Sequence, residues 1–67
     1  MISYEPLYRT MKEKNISTYA LFKAGFASSI YYSMKKGNGV STSTIDYLCK
    51  ILKCSVEEII EHIPDEE

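Results

Sequence analysis

No stretch of this 67-residue chain approaches the roughly 20 apolar residues needed to cross a bilayer. The opening MISYEPLYRT has no basic flank leading into an apolar stretch, so it does not read as a secretory signal. The expectation is a cytoplasmic protein without a membrane partner. Two cysteines are too few for a disulfide framework. Cys49, Cys54 and His62 are the only soft metal ligands, fewer than a structural zinc site uses. A thiol switch through Cys49 and Cys54 is left as an alternative. The single histidine has no nucleophile and orienting acid near it, so no active site, cofactor or small-molecule substrate is indicated. Sustained apolar/polar alternation and internal repeats are also missing. The one Asn-Gly pair, Asn38-Gly39, has helical flanks rather than strands. A chain of this length holds one domain with one small core.

What is present is an ordinary globular composition, 45% hydrophobic and 25% charged. The net charge of −1 hides a division. Residues 1–56 carry all eight basic and three acidic residues, a net of +5, whereas residues 57–67 carry six acids and no base. A basic body with an acidic end fits either a solubilising tail or a tail held away from a polyanionic partner.

The recurrent apolar spacing is that of helices. Tyr4, Leu7, Tyr8 and Met11 form one stripe, with Ser3 as a cap, Pro6 in the first turn and Asn15 at the end. Ser17 opens a short second helix through Ala20 and Leu21 that stops at Gly25. A third helix is expected from Ser28 to Lys36, with Tyr31 and Met34 inward and Gly37 as its stop. VSTST precedes a fourth helix carrying Ile45, Leu48, Cys49 and Leu52. SVEE, with Ser55 and Glu58, reads as a capping box opening a fifth helix through Val56, Ile59, Ile60 and Ile63, stopped by Pro64. The fold expectation is therefore all-α, a compact five-helix bundle over 1–64 followed by an acidic tail, 65–67. Its core would use Leu7, Met11, Leu21, Tyr31, Met34, Ile45, Leu48, Leu52 and Ile59.

The segment STYALFKAGFASSIYYSMKKGNGVSTSTIDYLCKILKCSVEEII resembles the Cro/cI-type helix-turn-helix family, also called xenobiotic-response-element or lambda-repressor-like. Ser17, Leu21, Gly25, Phe26 and the YYSMKKG end of the third helix carry the likeness, and TIDYLCKILKCSVEEII continues it. Two positions depart from the family pattern. Thr18 stands where a phosphate-fixing Gln is common, and a Thr hydroxyl reaches less far. Ala27 stands where a Ser or Thr usually caps the recognition helix, a loss of about 1 kcal/mol.

The resemblance implies a small bacterial or phage transcriptional regulator, not an enzyme, that binds double-stranded DNA with its third helix in the major groove. The residues it singles out are Thr18 and Tyr19 on the second helix, Ser28, Ser29, Tyr32, Ser33, Lys35 and Lys36 on the third, and Asn38 after it. Ser43 is a weaker phosphate candidate. Residues 27–36 contain no Arg, Gln or Asn for bidentate base contacts, so readout from this helix is expected to be modest or shape-based. Two-fold symmetric operators imply a homodimer, with Ile60 and Ile63 on the fifth helix as one candidate surface. The alternative reading is a protein-interaction module on the same fold, an anti-repressor or toxin-neutralising partner, which the acidic pI, Thr18 and Ala27 would suit.

Overall fold

The Tyr4–Leu7–Met11 stripe becomes one buried helical face in the computed structural model, which describes residues 1–65. The chain runs β1 (Ile2–Ser3), α1 (Glu5–Glu13), α2 (Thr18–Lys23), α3 (Ser28–Lys35), α4 (Thr42–Leu52), a single 3-10 turn (Val56–Glu58) and β2 (Glu61–His62). β1 and β2 pair antiparallel, Ile2 opposite His62 and Ser3 opposite Glu61.

The core is made of Tyr4, Leu7, Met11, Leu21, Phe26, Tyr31, Met34, Ile45, Leu48, Leu52 and Ile59. It contains all nine residues expected for the core, plus Tyr4 and Phe26, whereas Tyr8, Cys49 and Ile60 are partly buried against it and Val56 and Ile63 are exposed. Thr10 is buried among them, and its hydroxyl donates to the Glu58 carbonyl at 2.7 Å, so no buried polar side-chain atom among the described residues lacks a partner.

Among the described residues the expected fifth helix does not form, and the bundle has four helices with a two-stranded ladder. Ser55 and Glu58 do meet: the Glu58 carboxylate accepts from the Ser55 backbone N–H and hydroxyl, each at 3.1 Å. These hydrogen bonds hold the Glu58 carboxyl below its usual pKa. Only one 3-10 turn follows before the chain extends. Pro64 disfavours helical geometry at Ile63, and a helix confined to 56–63 with three isoleucines has little intrinsic stability. Extended backbone instead bonds the opening residues: Ile63 N–H donates to the Met1 carbonyl at 2.8 Å. Of the expected acidic tail, Asp65 is described and exposed, while Glu66 and Glu67 lie outside the described residues. Ser3 also differs from expectation, since Tyr4 is the N-cap of α1 and Ser3 accepts from the Glu5 N–H at 3.2 Å.

The other helix starts follow their sequence signals. Ser17 Oγ accepts from the Ala20 N–H at 3.1 Å, and Ser41 Oγ from the Thr44 N–H at 3.3 Å. Ala27 is the N-cap of α3 and offers no side-chain bond, so Ser28 is the first helical residue and not the cap.

Helices α1, α2 and α3 end alike. A residue with positive φ follows each, and two backbone N–H groups fold back onto the last-turn carbonyls. At α2 these are Gly25 N–H to Phe22 O at 3.0 Å and Phe26 N–H to Leu21 O at 3.3 Å. At α3 they are Gly37 N–H to Met34 O at 2.9 Å and Asn38 N–H to Ser33 O at 3.2 Å. Asn15, at φ 59°, plays the same part after α1.

Gly25 is the most constrained of these turns. Its φ is 107°, and a Cβ there would sit 2.5 Å from the Tyr47 hydroxyl. That hydroxyl reaches in from α4 to donate to the Ala24 carbonyl at 3.1 Å, while the Tyr47 ring stacks on Phe26. Gly25→Ala is expected to lower stability by about 1–3 kcal/mol through backbone strain and crowding. Chemical denaturation of Gly25→Ala, Tyr47→Phe and the double variant checks this. A coupling energy of zero between the two positions would show that the hydroxyl does not crowd the methyl.

Candidate nucleic-acid interface

Helices α2 and α3 are joined by the turn 24–27, and the charge around them has one sign. No Asp or Glu occurs between Lys14 and Ile45, and Lys23, Lys35 and Lys36 are the only charged side chains in α2, α3 and their caps. With Tyr31 and Met34 buried, the opposite side of α3 carries Ser28, Ser29, Tyr32, Ser33 and Lys36 at helical spacing. Ser28, Ser29, Tyr32 and Lys36 are exposed, and Ser33 is half-buried.

Tyr32 is 54% exposed yet held from beneath. Phe22 of α2 meets it at an angle of 61°, with ring centroids 6.1 Å apart, and Tyr31 meets it edge-on at 5.5 Å. At the start of α2, Thr18 is exposed and Tyr19 is 71% exposed. Lys23 lies over the Tyr19 ring, 5.6 Å from its centroid. Lys23 is missing from the residues that the sequence singled out, although its spacing one turn after Tyr19 carries the signal.

The two lysines at the end of α3 part company. Lys35 turns toward α1, its ammonium 5.0 Å from the Tyr8 ring centroid and 5.8 Å from that of Tyr31. Burial raises the hydroxyl pKa of both tyrosines, with neighbouring tyrosines adding to it, so both stay neutral at physiological pH. Lys36 extends the outward face of α3 instead. Asn38 is tied into the loop: its side-chain amide donates to Ser33 Oγ at 3.1 Å, and its carbonyl accepts the Tyr4 hydroxyl at 2.7 Å. Thus Ser33 and Asn38 already engage each other. Ser43 is exposed in the first turn of α4. Beside it, a shallow cleft of about 370 Å³ runs between α3 and the start of α4, with the hydroxyls of Ser29, Ser33, Ser41 and Thr44 on its walls.

A second cleft, of about 530 Å³, lies between α4 and the 3-10 turn, with Ile45, Cys49, Cys54, Val56 and Ile60 on its apolar walls. The two thiols are neighbours there. Burial, then the Cys49 thiol and the Glu58 carboxylate, push the Cys54 thiol up from its ordinary pKa. His62 is apart from them, on β2. Among the described residues no three His, Cys, Asp or Glu side chains form a metal-holding group.

The Cro/C1-type HTH DNA-binding domain family matches the chain over residues 7–65, from α1 through β2. The chain belongs to this family. No curated protein and no solved structure matches it. As a Cro/C1-type domain it is a DNA-binding chain of a broadly regulatory class. No helix among its described residues is long and apolar enough to cross a membrane.

The partly buried Tyr4 hydroxyl ties the loop after α3 to the start of α1. Tyr4→Phe removes the bond to the Asn38 carbonyl while keeping the ring in the core. It is expected to lower stability by about 1 kcal/mol without loss of helix content, as read by urea unfolding and circular dichroism.

Proposed function

We propose that this Cro/C1-type domain is a sequence-specific regulator of transcription that binds double-stranded DNA. In this reading α2 and α3 form the helix-turn-helix of a domain spanning 1–64, and α3 enters the major groove. The observation that carries it is the exposed, acid-free face of α3, with Ser28, Ser29, Tyr32 and Lys36 unburied and backed by a rigid aromatic layer. Ser28, Ser29 and Tyr32, in the first turns of α3, meet base edges. Lys36 holds a phosphate as a point charge. Thr18, Tyr19 and Lys23 at α2 flank the groove and take the backbone on one side. On the other, the hydroxyl-lined cleft and the positive end of the α4 dipole suit a second phosphate. Lys35 adds to the field from the α1 side. Ser33 and Asn38 position the loop and contribute polar edges. No step requires a cofactor or catalysis.

The proposed assembly is a cytoplasmic homodimer on a two-fold symmetric site. A fifth helix is not available as its interface. The apolar cleft between α4 and the 3-10 turn, where Val56 is 51% exposed, supplies the apolar surface for a second copy. The same cleft favours the second reading, a protein-interaction module that works through a different partner.

Titration of fluorescent random duplex at two salt concentrations tests the proposal. Affinity is expected to fall steeply as salt rises, and Lys36→Ala to lower the log–log salt slope by about 0.9. Lys35→Ala should change it less, because that ammonium is already engaged over Tyr8 and Tyr31. A folded chain that binds no duplex even at low salt would overturn the reading.

A further inference from the structure

The outward face of α3 lacks the side chains that distinguish bases through paired hydrogen bonds. It has no Arg, Asn, Gln, Asp or Glu. The serine hydroxyls both donate and accept, so they fit many edges and discriminate few. Ser33 is in addition engaged by Asn38. Lys36 is a point charge that suits phosphates. The remaining chemical contrast on this face is apolar, and it belongs to one residue. Tyr32 is the only aromatic side chain there, more than half exposed.

Its ring also rests against two others. Phe22 and Tyr31 contact it in edge-type geometry at 6.1 and 5.5 Å. Side chains on a helix lean toward its N-terminus, so the ring leans over the turn that holds Ser28 and Ser29. Both are small, and Tyr32 stays 54% exposed. Among the edges that the major groove offers, the apolar feature is the C5-methyl group of thymine.

We infer that Tyr32 is the specificity-determining residue of α3, its ring reading the 5-methyl group of thymine in the major groove. The inference rests on α3 being the groove-entering helix, and it adds what that helix recognises. A site chosen by this protein is then defined less by hydrogen-bond partners than by where methyl groups stand along the groove.

The test begins by selecting preferred duplexes from a random pool and measuring their affinity by anisotropy. Each thymine in turn is then replaced by deoxyuridine, which removes the methyl and leaves every hydrogen-bonding group. The wild-type chain is expected to lose about fourfold in affinity at one or more thymines. Tyr32→Phe should keep that thymine-to-uracil ratio, and Tyr32→Ala should bring it close to one. Tyr32→Ser serves in place of the alanine variant if that chain fails to fold. Uracil tolerated at every position by the wild type overturns the inference and leaves duplex binding standing. So does a full thymine-to-uracil ratio in a folded variant without the ring. Failure of the folded wild type to bind any duplex overturns the groove reading itself, and the inference with it.

Discussion

The turn at Gly25 is the constraint on which the rest of the structure depends. Its positive φ ends α2 and launches α3, and two backbone bonds to the last turn of α2 fix the direction of departure. Tyr47 locks the turn from outside the pair, bonded to the Ala24 carbonyl and stacked on Phe26. The angle between α2 and α3 is therefore set by α4 as well as by the turn. Any side chain at position 25 would contest both the backbone conformation and the space that the tyrosine hydroxyl occupies.

The surface of α3 follows from that constraint. Once Tyr31 and Met34 are buried, helical spacing delivers Ser28, Ser29, Tyr32, Ser33 and Lys36 to one side. The aromatic side chains that continue inward from Tyr32 join α2, α3 and α1: Phe22 touches both Tyr31 and Tyr32, and Tyr8 touches Tyr31. High tyrosine content thus serves two purposes. Tyr8 and Tyr31 build a support with Phe22, and Tyr32 stands on it more than half exposed. The single-sign charge around this region adds long-range attraction for a polyanion even though the whole chain is slightly acidic.

Much of this was legible in the sequence because it rests on local signals. Ser17 and Ser41 are side-chain caps, Gly25 and Gly37 are stops, and the apolar spacing of α1 and α4 marks their buried faces; each acts within a turn or two of its own position. The misreading of 56–63 as a helix has the same origin. Ser55 and Glu58 do make local bonds of a capping kind, but Pro64 and the pairing with Ile2 and Ser3, which lie at the far end of the chain, decide that the segment extends. The outward positions of α3 were legible in outline, since they follow from the inward ones. What the spacing could not reveal is competition for side chains across the fold. The ring that claims Lys35 lies on α1, and the residue that bonds the Asn38 carbonyl is Tyr4. Tyr47 at the turn is a contact of the same long-range type.

The link between Thr10 and Glu58, and that between the Leu7 N–H and the Ile59 carbonyl, join α1 to the 3-10 turn and the residue after it, far along the sequence. A growing polypeptide releases α1 long before Ile59 leaves the ribosome. Until then the buried stripe of α1 lacks one of its covering side chains, and the ladder that closes over it does not exist. Short helices ordinarily fold from local contacts, yet the core of this helical domain is complete only once Ile59 has been made. Vectorial synthesis leaves the paired helices without their full support until residues 56–62 have emerged.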